Sequence, residues 1–181
     1  MELVRPVVVL CPPLDDEPDP PWRAPLLAAL AAGGNPAIAP PSADVREADP
    51  RVRLAAWVAG QAIAVTAADV PGPLLLVAAG SACRGLPALG MAQRAARHAV
   101  VGYVLIDGAA PDPGRSGQDW PDAPVTVVRS PGSTTPQDPA ARLRGWASVQ
   151  ADPVDLVPDL VRRWPEPLPD PTRPHGSPGT T

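Results

Sequence analysis

The run Leu74-Leu75-Leu76-Val77-Ala78-Ala79 is apolar at every position, and it breaks abruptly into Gly80-Ser81-Ala82-Cys83-Arg84-Gly85. A strand with no polar alternation must be covered on both faces, which requires a parallel sheet held between two helical layers. Two other runs read the same way. Pro6 to Leu10 is β-branched and closes at Cys11-Pro12-Pro13, and Val100 to Ile106 ends at Asp107-Gly108. Weaker strands are predicted at Asn35 to Ala39, Ala123 to Val128 and Trp146 to Val149.

Helix-length segments alternate with these runs. Trp22 to Ala32 stops at Gly33-Gly34, and Arg51 to Ala68 follows Asp49-Pro50, a helix-start pair. Ala82 to Arg97 is the helix after the glycine-serine break, with Arg94 and Arg97 near its negative C-terminal end. Pro139 to Gly145 is a short helix, and Asp155 to Trp164 a last one that tolerates, or is kinked by, Pro158. The expected fold is therefore α/β, a three-layer sandwich on a mostly parallel sheet of about six strands. Right-handed crossovers bring the Cys11, Ser81 and Asp107 ends of three strands to one edge, where such folds bind ligands.

Composition removes several function classes. The chain has 181 residues, enough for one domain with a sizeable core. Its 15 basic residues are all Arg, scattered without a block at a net charge of −4, so no nucleic-acid partner is expected. Apolar runs fall short of the ~20 residues of a membrane span, and no secretory signal is read, so a soluble, cytoplasmic protein is expected. Cys11 and Cys83 lack metal-site spacing and are too few for a disulfide framework; no metal and no cofactor is implied. Residues 165–181 contain six prolines and no apolar periodicity, so a domain over 1–164 followed by an extended tail is expected. That tail also offers itself as a ligand for another protein's domain.

The strand-serine-helix unit, with an Asp ending the next strand, resembles the α/β-hydrolase superfamily. It is most similar to small actinobacterial members without a large cap. The elbow of that family is Gly-x-Ser-x-Gly, its glycines required by a strained turn; here the five residues centred on Ser81 are Ala79-Gly80-Ser81-Ala82-Cys83. A second register sets Leu86-Pro87 on the family's Leu-Pro and puts Gly80 at the nucleophile position. The resemblance implies Ser81 and Asp107 as the catalytic candidates. The shared strand edge places a candidate cleft around Cys11, Asp15, Asp16, Gly80, Ala82, Cys83 and Arg84, beside Ser81 and Asp107.

The family's base, a histidine after the last strand, has no counterpart in Gln150-Ala151-Asp152-Pro153. His98 is placed at the opposite edge of the sheet and His175 in the tail. Without a base in reach a serine hydroxyl is a weak nucleophile. The expected function is a degenerate hydrolase-fold protein that binds a small molecule or peptide in the cleft, or does non-hydrolytic chemistry there. The alternatives are a serine hydrolase using Ser81 with His175 folded back, and a protein-interaction module.

Other residues have bland and functional readings side by side. Asp107 either caps its own Asp-Gly turn or acts in proton transfer. Cys11 and Cys83 pack as small hydrophobes or, for Cys83, act as a nucleophile near a helix start. Asp15, Asp16 and Glu17 read as a solvated loop, since three carboxylates would oppose an oxyanion there. Arg84 pairs with a ligand carboxylate, with solvent or with Asp107. Trp22, Trp57 and Trp120 line a pocket or fill the core. Oligomeric state is not legible.

Overall fold

The structure, a computed structural model, describes residues 4–14, 17–42, 49–109, 120–135 and 139–164. In chain order the elements are β1 (Val7–Leu10), α1 (Arg23–Ala32), β2 (Ala37–Ile38), α2 (Pro50–Ala67) and β3 (Leu74–Ala79). A 3-10 turn at Gly80–Gly85 leads into α3 (Leu86–Ala95), β4 (Val100–Ile106) and β5 (Val125–Arg129). The chain then forms α4 (Pro139–Leu143), β6 (Ala147–Gln150) and α5 (Pro153–Arg163). The six strands lie in the order β2-β1-β3-β4-β5-β6, and every neighbouring pair is parallel.

Alternate residues of each strand feed two separate cores. Val7, Val9, Leu74, Leu76, Ala78, Tyr103 and Leu105 face one layer and pack with Trp57, Val65, Leu86 and Leu89 from α2 and α3. Val8, Leu10, Leu75, Val77, Val104 and Ile106 face the other and pack with Leu26, Leu30, Val157 and Val161 from α1 and α5. This is why β3 carries no polar residue: both its faces are covered. At roughly 1.5–3 kcal/mol for each fully buried Val or Leu, aliphatic burial holds the sheet in a chain with no Phe.

Several element starts differ from the sequence reading by one or a few residues; β2 is only Ala37–Ile38, and three other shifts have a local reason. The helix expected from Ala82 begins as a 3-10 turn, and α-helical geometry sets in at Leu86, where Pro87 takes a first-turn position that needs no N–H. The last helix starts at Pro153, two residues early, because the Asp152 side chain accepts from the Val154 amide at 2.9 Å. β5 starts at Val125, after Pro124, which has no N–H to give a ladder. Pro158 lies inside α5.

The strand order fixes where a ligand can enter. From β1 the chain steps outward to β2, then returns across the sheet to β3 on the other side of β1. The connection leaving β1 goes to the α1–α5 layer, and the one leaving β3 goes to the α2–α3 layer. The C-terminal ends of β1 and β3 lie between them at the topological switch point, the place where a sheet of this kind has its ligand crevice. Residues 165–181, the expected tail, lie outside the described residues. Among the described residues, no helix is long and apolar enough to cross a membrane.

Candidate functional site

The elbow sits at that switch point. Ala79 is still extended, with φ −122° and ψ 157°, and Gly80 turns the chain with φ +53°. A residue other than Gly, Asn or Asp pays roughly 1–2 kcal/mol for this left-handed region. Gly80, not Ser81, therefore carries the strained turn. Gly80 opens the 3-10 turn and Ser81 is its second residue, half-buried, with its Oγ donating to the Leu14 carbonyl at 3.5 Å.

The carboxylate end of the exposed Glu17 side chain lies beside Gly80. A Cβ built on Gly80 would lie 2.7 Å from Glu17 Oε2, and the same oxygen accepts a long hydrogen bond, 3.4 Å, from the Ser81 amide. An anionic oxygen is thus held against a backbone N–H at the mouth of the crevice, with the rest of Glu17 exposed. Glu17 is exposed, as a solvated loop residue is, and it is also the carboxylate whose Oε2 reaches the elbow. Asp15 and Asp16 lie outside the described residues.

Asp107 sits at the same edge, one strand over, also with positive φ at +50°. Its carboxylate does not cap its own turn. It reaches the end of β5, where Oδ1 accepts from the Ser130 amide at 3.0 Å and Oδ2 from the Ser130 hydroxyl at 2.5 Å. The Asp107 carbonyl accepts from Thr135 Oγ1 at 3.5 Å. Asp107 thereby ties the ends of β4 and β5 together. Next to it, Gly108 packs so tightly that a Cβ there would meet Cys83 Sγ at 2.3 Å and the Gly80 carbonyl at 2.6 Å. The absence of a side chain at Gly108 is what lets the Asp107 turn close onto the elbow.

Both cysteines are buried beneath the crevice. Loss of solvation pushes each thiol up to about 12, only partly offset by the Arg23 charge at Cys11 and by backbone hydrogen bonding at Cys83. Cys83 Sγ donates to the Ala78 carbonyl at 3.4 Å. A thiol that stays protonated at neutral pH is not a nucleophile. Ala82 is likewise buried. Arg84 is exposed and, among the described residues, forms no ion pair with Asp107.

A cation the sequence did not single out lies at the end of β1. Arg23 donates to the Leu10 carbonyl at 3.2 Å and pairs with Asp19 at 3.1 Å. Ser130, Thr135 and Arg23 were not legible as site residues because each reaches the edge from a different element. The only local signal was Arg23, four residues after Asp19.

The remaining candidates are elsewhere. His98 precedes β4 at the opposite edge, its Nδ1 within 2.7 Å of Gln93 Oε1. Trp57 is core beneath α2, and a Cβ on Gly85 would strike its ring. Trp120 packs edge-on against Tyr103 and Trp146 beside the N-terminal ends of β4, β5 and β6. Neither Trp57 nor Trp120 lines the crevice. Trp22 packs against the α1–α5 core. The loop leaving β6 places Asp152 as a helix cap, and His175 lies outside the described residues. No group of three or more potential metal ligands occurs among the described residues.

No protein-family model matches the sequence, and no relative is found among curated protein sequences. Solved structures do resemble it. A hydrolase candidate of the alpha/beta superfamily from Xanthomonas campestris pv. campestris aligns over 82% of this chain and 87% of its own. The TM-score is 0.59 and the identity 14%. The NocB thioesterase domain, in covalent complex with a fluorophosphonate nocardicin G analogue, aligns over 88% of this chain and 94% of its own. There the TM-score is 0.50 and the identity 16%. The chain has an α/β-hydrolase-like fold, and the described residues include no large cap domain.

Proposed function

We propose that this protein is a hydrolase-fold binder: it keeps the crevice of the fold, has lost the serine nucleophile, and binds a small polar molecule beside Glu17. One observation carries the reading. Gly80 holds the strained strand-to-helix turn, the point from which this fold presents a nucleophile, and the Glu17 carboxylate fills the space a side chain there would enter.

Two further features support it. Ser81 sits one residue into the helix start, with its hydroxyl turned to the Leu14 carbonyl rather than to a base. The loop after β6 contributes a helix-capping Asp152 where a triad needs a positioned histidine. A carboxylate is acceptor-only, so the ligand suited to Glu17 carries N–H or O–H donors, as an amine or a polyol does. The same chemistry on a peptide would offer an amino terminus.

A fluorophosphonate probe tests the proposal, read by intact mass on the full chain. The expected result is no adduct under conditions that saturate a serine esterase. An adduct mapped to Ser81 and lost in Ser81→Ala would overturn it. Amide chemical shifts then locate binding: a panel of small amines and polyols should move Gly80 and Ser81, and Glu17→Gln should weaken the response about tenfold or more, as loss of a charge-assisted hydrogen bond does. Shifts confined to other parts of the molecule would count against the crevice as the site.

A further inference from the structure

Strand β1 ends on a carbonyl that the sheet cannot serve. Val8 lies opposite Ala37 and Val9 opposite Ile38, and the Val8 amide donates to the Pro36 carbonyl at 2.9 Å. In a parallel ladder this register carries the Leu10 carbonyl to the N–H of residue 40. Residue 40 is a proline and has no N–H, and β2 stops at Ile38. Arg23, the first residue of α1, supplies the donor instead: its Nη2 reaches the Leu10 carbonyl at 3.2 Å.

The same guanidinium holds a second point. Nη1 donates to the two Asp19 carboxylate oxygens at 3.3 and 3.1 Å, and the Arg23 amide donates to the Pro20 carbonyl at 2.9 Å. One side chain, 14% exposed, thus joins the strand entering the β1–α1 loop to the residues leaving it. An ion pair whose acid is 60% exposed adds little to stability, and fixing a long side chain costs conformational entropy. The path of the loop is what the contact determines.

That path leads to Glu17. Glu17 and Asp19 each precede a proline, which confines both to extended backbone, and Pro18 between them has its own φ locked. An orientation imposed at Asp19 is therefore passed to Glu17 with little slack. Nearer β1, the Leu14 side chain is buried in the core, and its carbonyl takes the Ser81 hydroxyl.

We infer that Arg23 is a positioning residue for the crevice. It clasps Asp19 to the end of β1, and through the stiff Glu17-Pro18-Asp19 segment it sets the Glu17 carboxylate against Gly80 and the Ser81 amide. Arg23 has this role on the reading that Glu17 serves the crevice, and the two fail separately. Absence of amine or polyol binding would end the binder and leave the clasp, which is measured in ligand-free protein.

Amide spectra of the full chain test it as a double-mutant cycle. Glu17→Gln should displace the Ser81 amide resonance in the wild-type background. In an Asp19→Ala background, which keeps the Arg23 contact to Leu10, the same change should displace it about twofold less or weaker still, the sign of coupled sites. Arg23→Met should reduce the displacement further, and Arg23→Lys, with one ammonium in place of the fork, should fall between Arg23→Met and wild type. The Ser130 amide, held by Asp107 at the next strand end, should keep its position throughout. An undiminished displacement in Asp19→Ala overturns the inference, leaving Arg23 as a strand cap alone. So does a loss that appears only where the Ser130 amide also moves, since the whole edge rather than the clasp would then have changed.

Discussion

The two edges of the sheet are built on opposite plans. At the N-terminal edge, large groups fill the space and satisfy one another. Tyr103 donates to Asp122 at 2.8 Å, Arg94 pairs with the same carboxylate, and Trp120 lies edge-on between Tyr103 and Trp146 with Arg144 over the last ring. At the C-terminal edge, glycines at 80 and 108 leave side chains out, and carboxylates at 17 and 107 are brought close to the backbone. One edge spends bulk on stability. The other keeps its backbone bare where a ligand would approach, which is the division expected when a fold confines function to one end of its strands.

Substitutions should separate the two edges. Removing the ring in Tyr103→Ala takes out a buried aromatic that anchors the closed edge, and a loss of about 3–5 kcal/mol is expected in urea unfolding. Ligand-induced amide shifts at Gly80 and Ser81 should survive wherever the variant remains folded. At the open edge, Gly108→Ala forces a methyl against Cys83 and the Gly80 carbonyl, and overpacking of this kind costs about 1–3 kcal/mol. It should also displace the elbow, so that, unlike the Tyr103 change, it alters binding in the crevice.

Gly80→Ala is the finer probe. It puts a side chain into a left-handed turn and against Glu17, with an expected cost of about 1–2 kcal/mol. Pairing it with Glu17→Ala should recover part of that loss in a double-mutant cycle, the part due to collision rather than to backbone strain. Strict additivity would show that Glu17 does not occupy the space. Ser130→Ala removes the short hydroxyl contact to Asp107 while leaving the amide contact, and should cost about 1–2 kcal/mol.

The buried thiols give the comparison a pH dependence. Their folded-state values are raised, to about 12 from the 9.0 of a free thiol. Their contribution to stability is therefore full below pH 9 and falls as pH rises from 9 toward 12, because the unfolded chain releases protons that the fold retains. Thiol reagents at neutral pH should react only after unfolding, with both cysteines appearing together in the cooperative transition.

The fold was legible because its cause is local. Leu74 to Ala79 and Val100 to Ile106 are apolar without alternation, so a doubly covered parallel sheet followed, and all six strands were found near their places. The crevice edge followed from topology alone. The occupants of the crevice did not, because their contacts are distant in sequence. Glu17 meets Ser81 across 64 positions and Asp107 meets Ser130 across 23, and no periodicity encodes such pairs. The identity of the elbow residue was half legible. The Gly80-Ser81 pair offered two registers, and only the φ of +53° assigns the turn to the glycine.

The central claim is that Ser81 is a helix-start residue and no nucleophile, and ester turnover tests it most directly. Hydrolysis of a p-nitrophenyl ester by purified wild type and Ser81→Ala should proceed at the same residual rate, with thermal midpoints that agree because a surface-proximal hydroxyl contributes within about 0.5 kcal/mol. A drop of about a hundredfold or more in the variant, with its fold intact, would contradict the account and return Ser81 to catalysis.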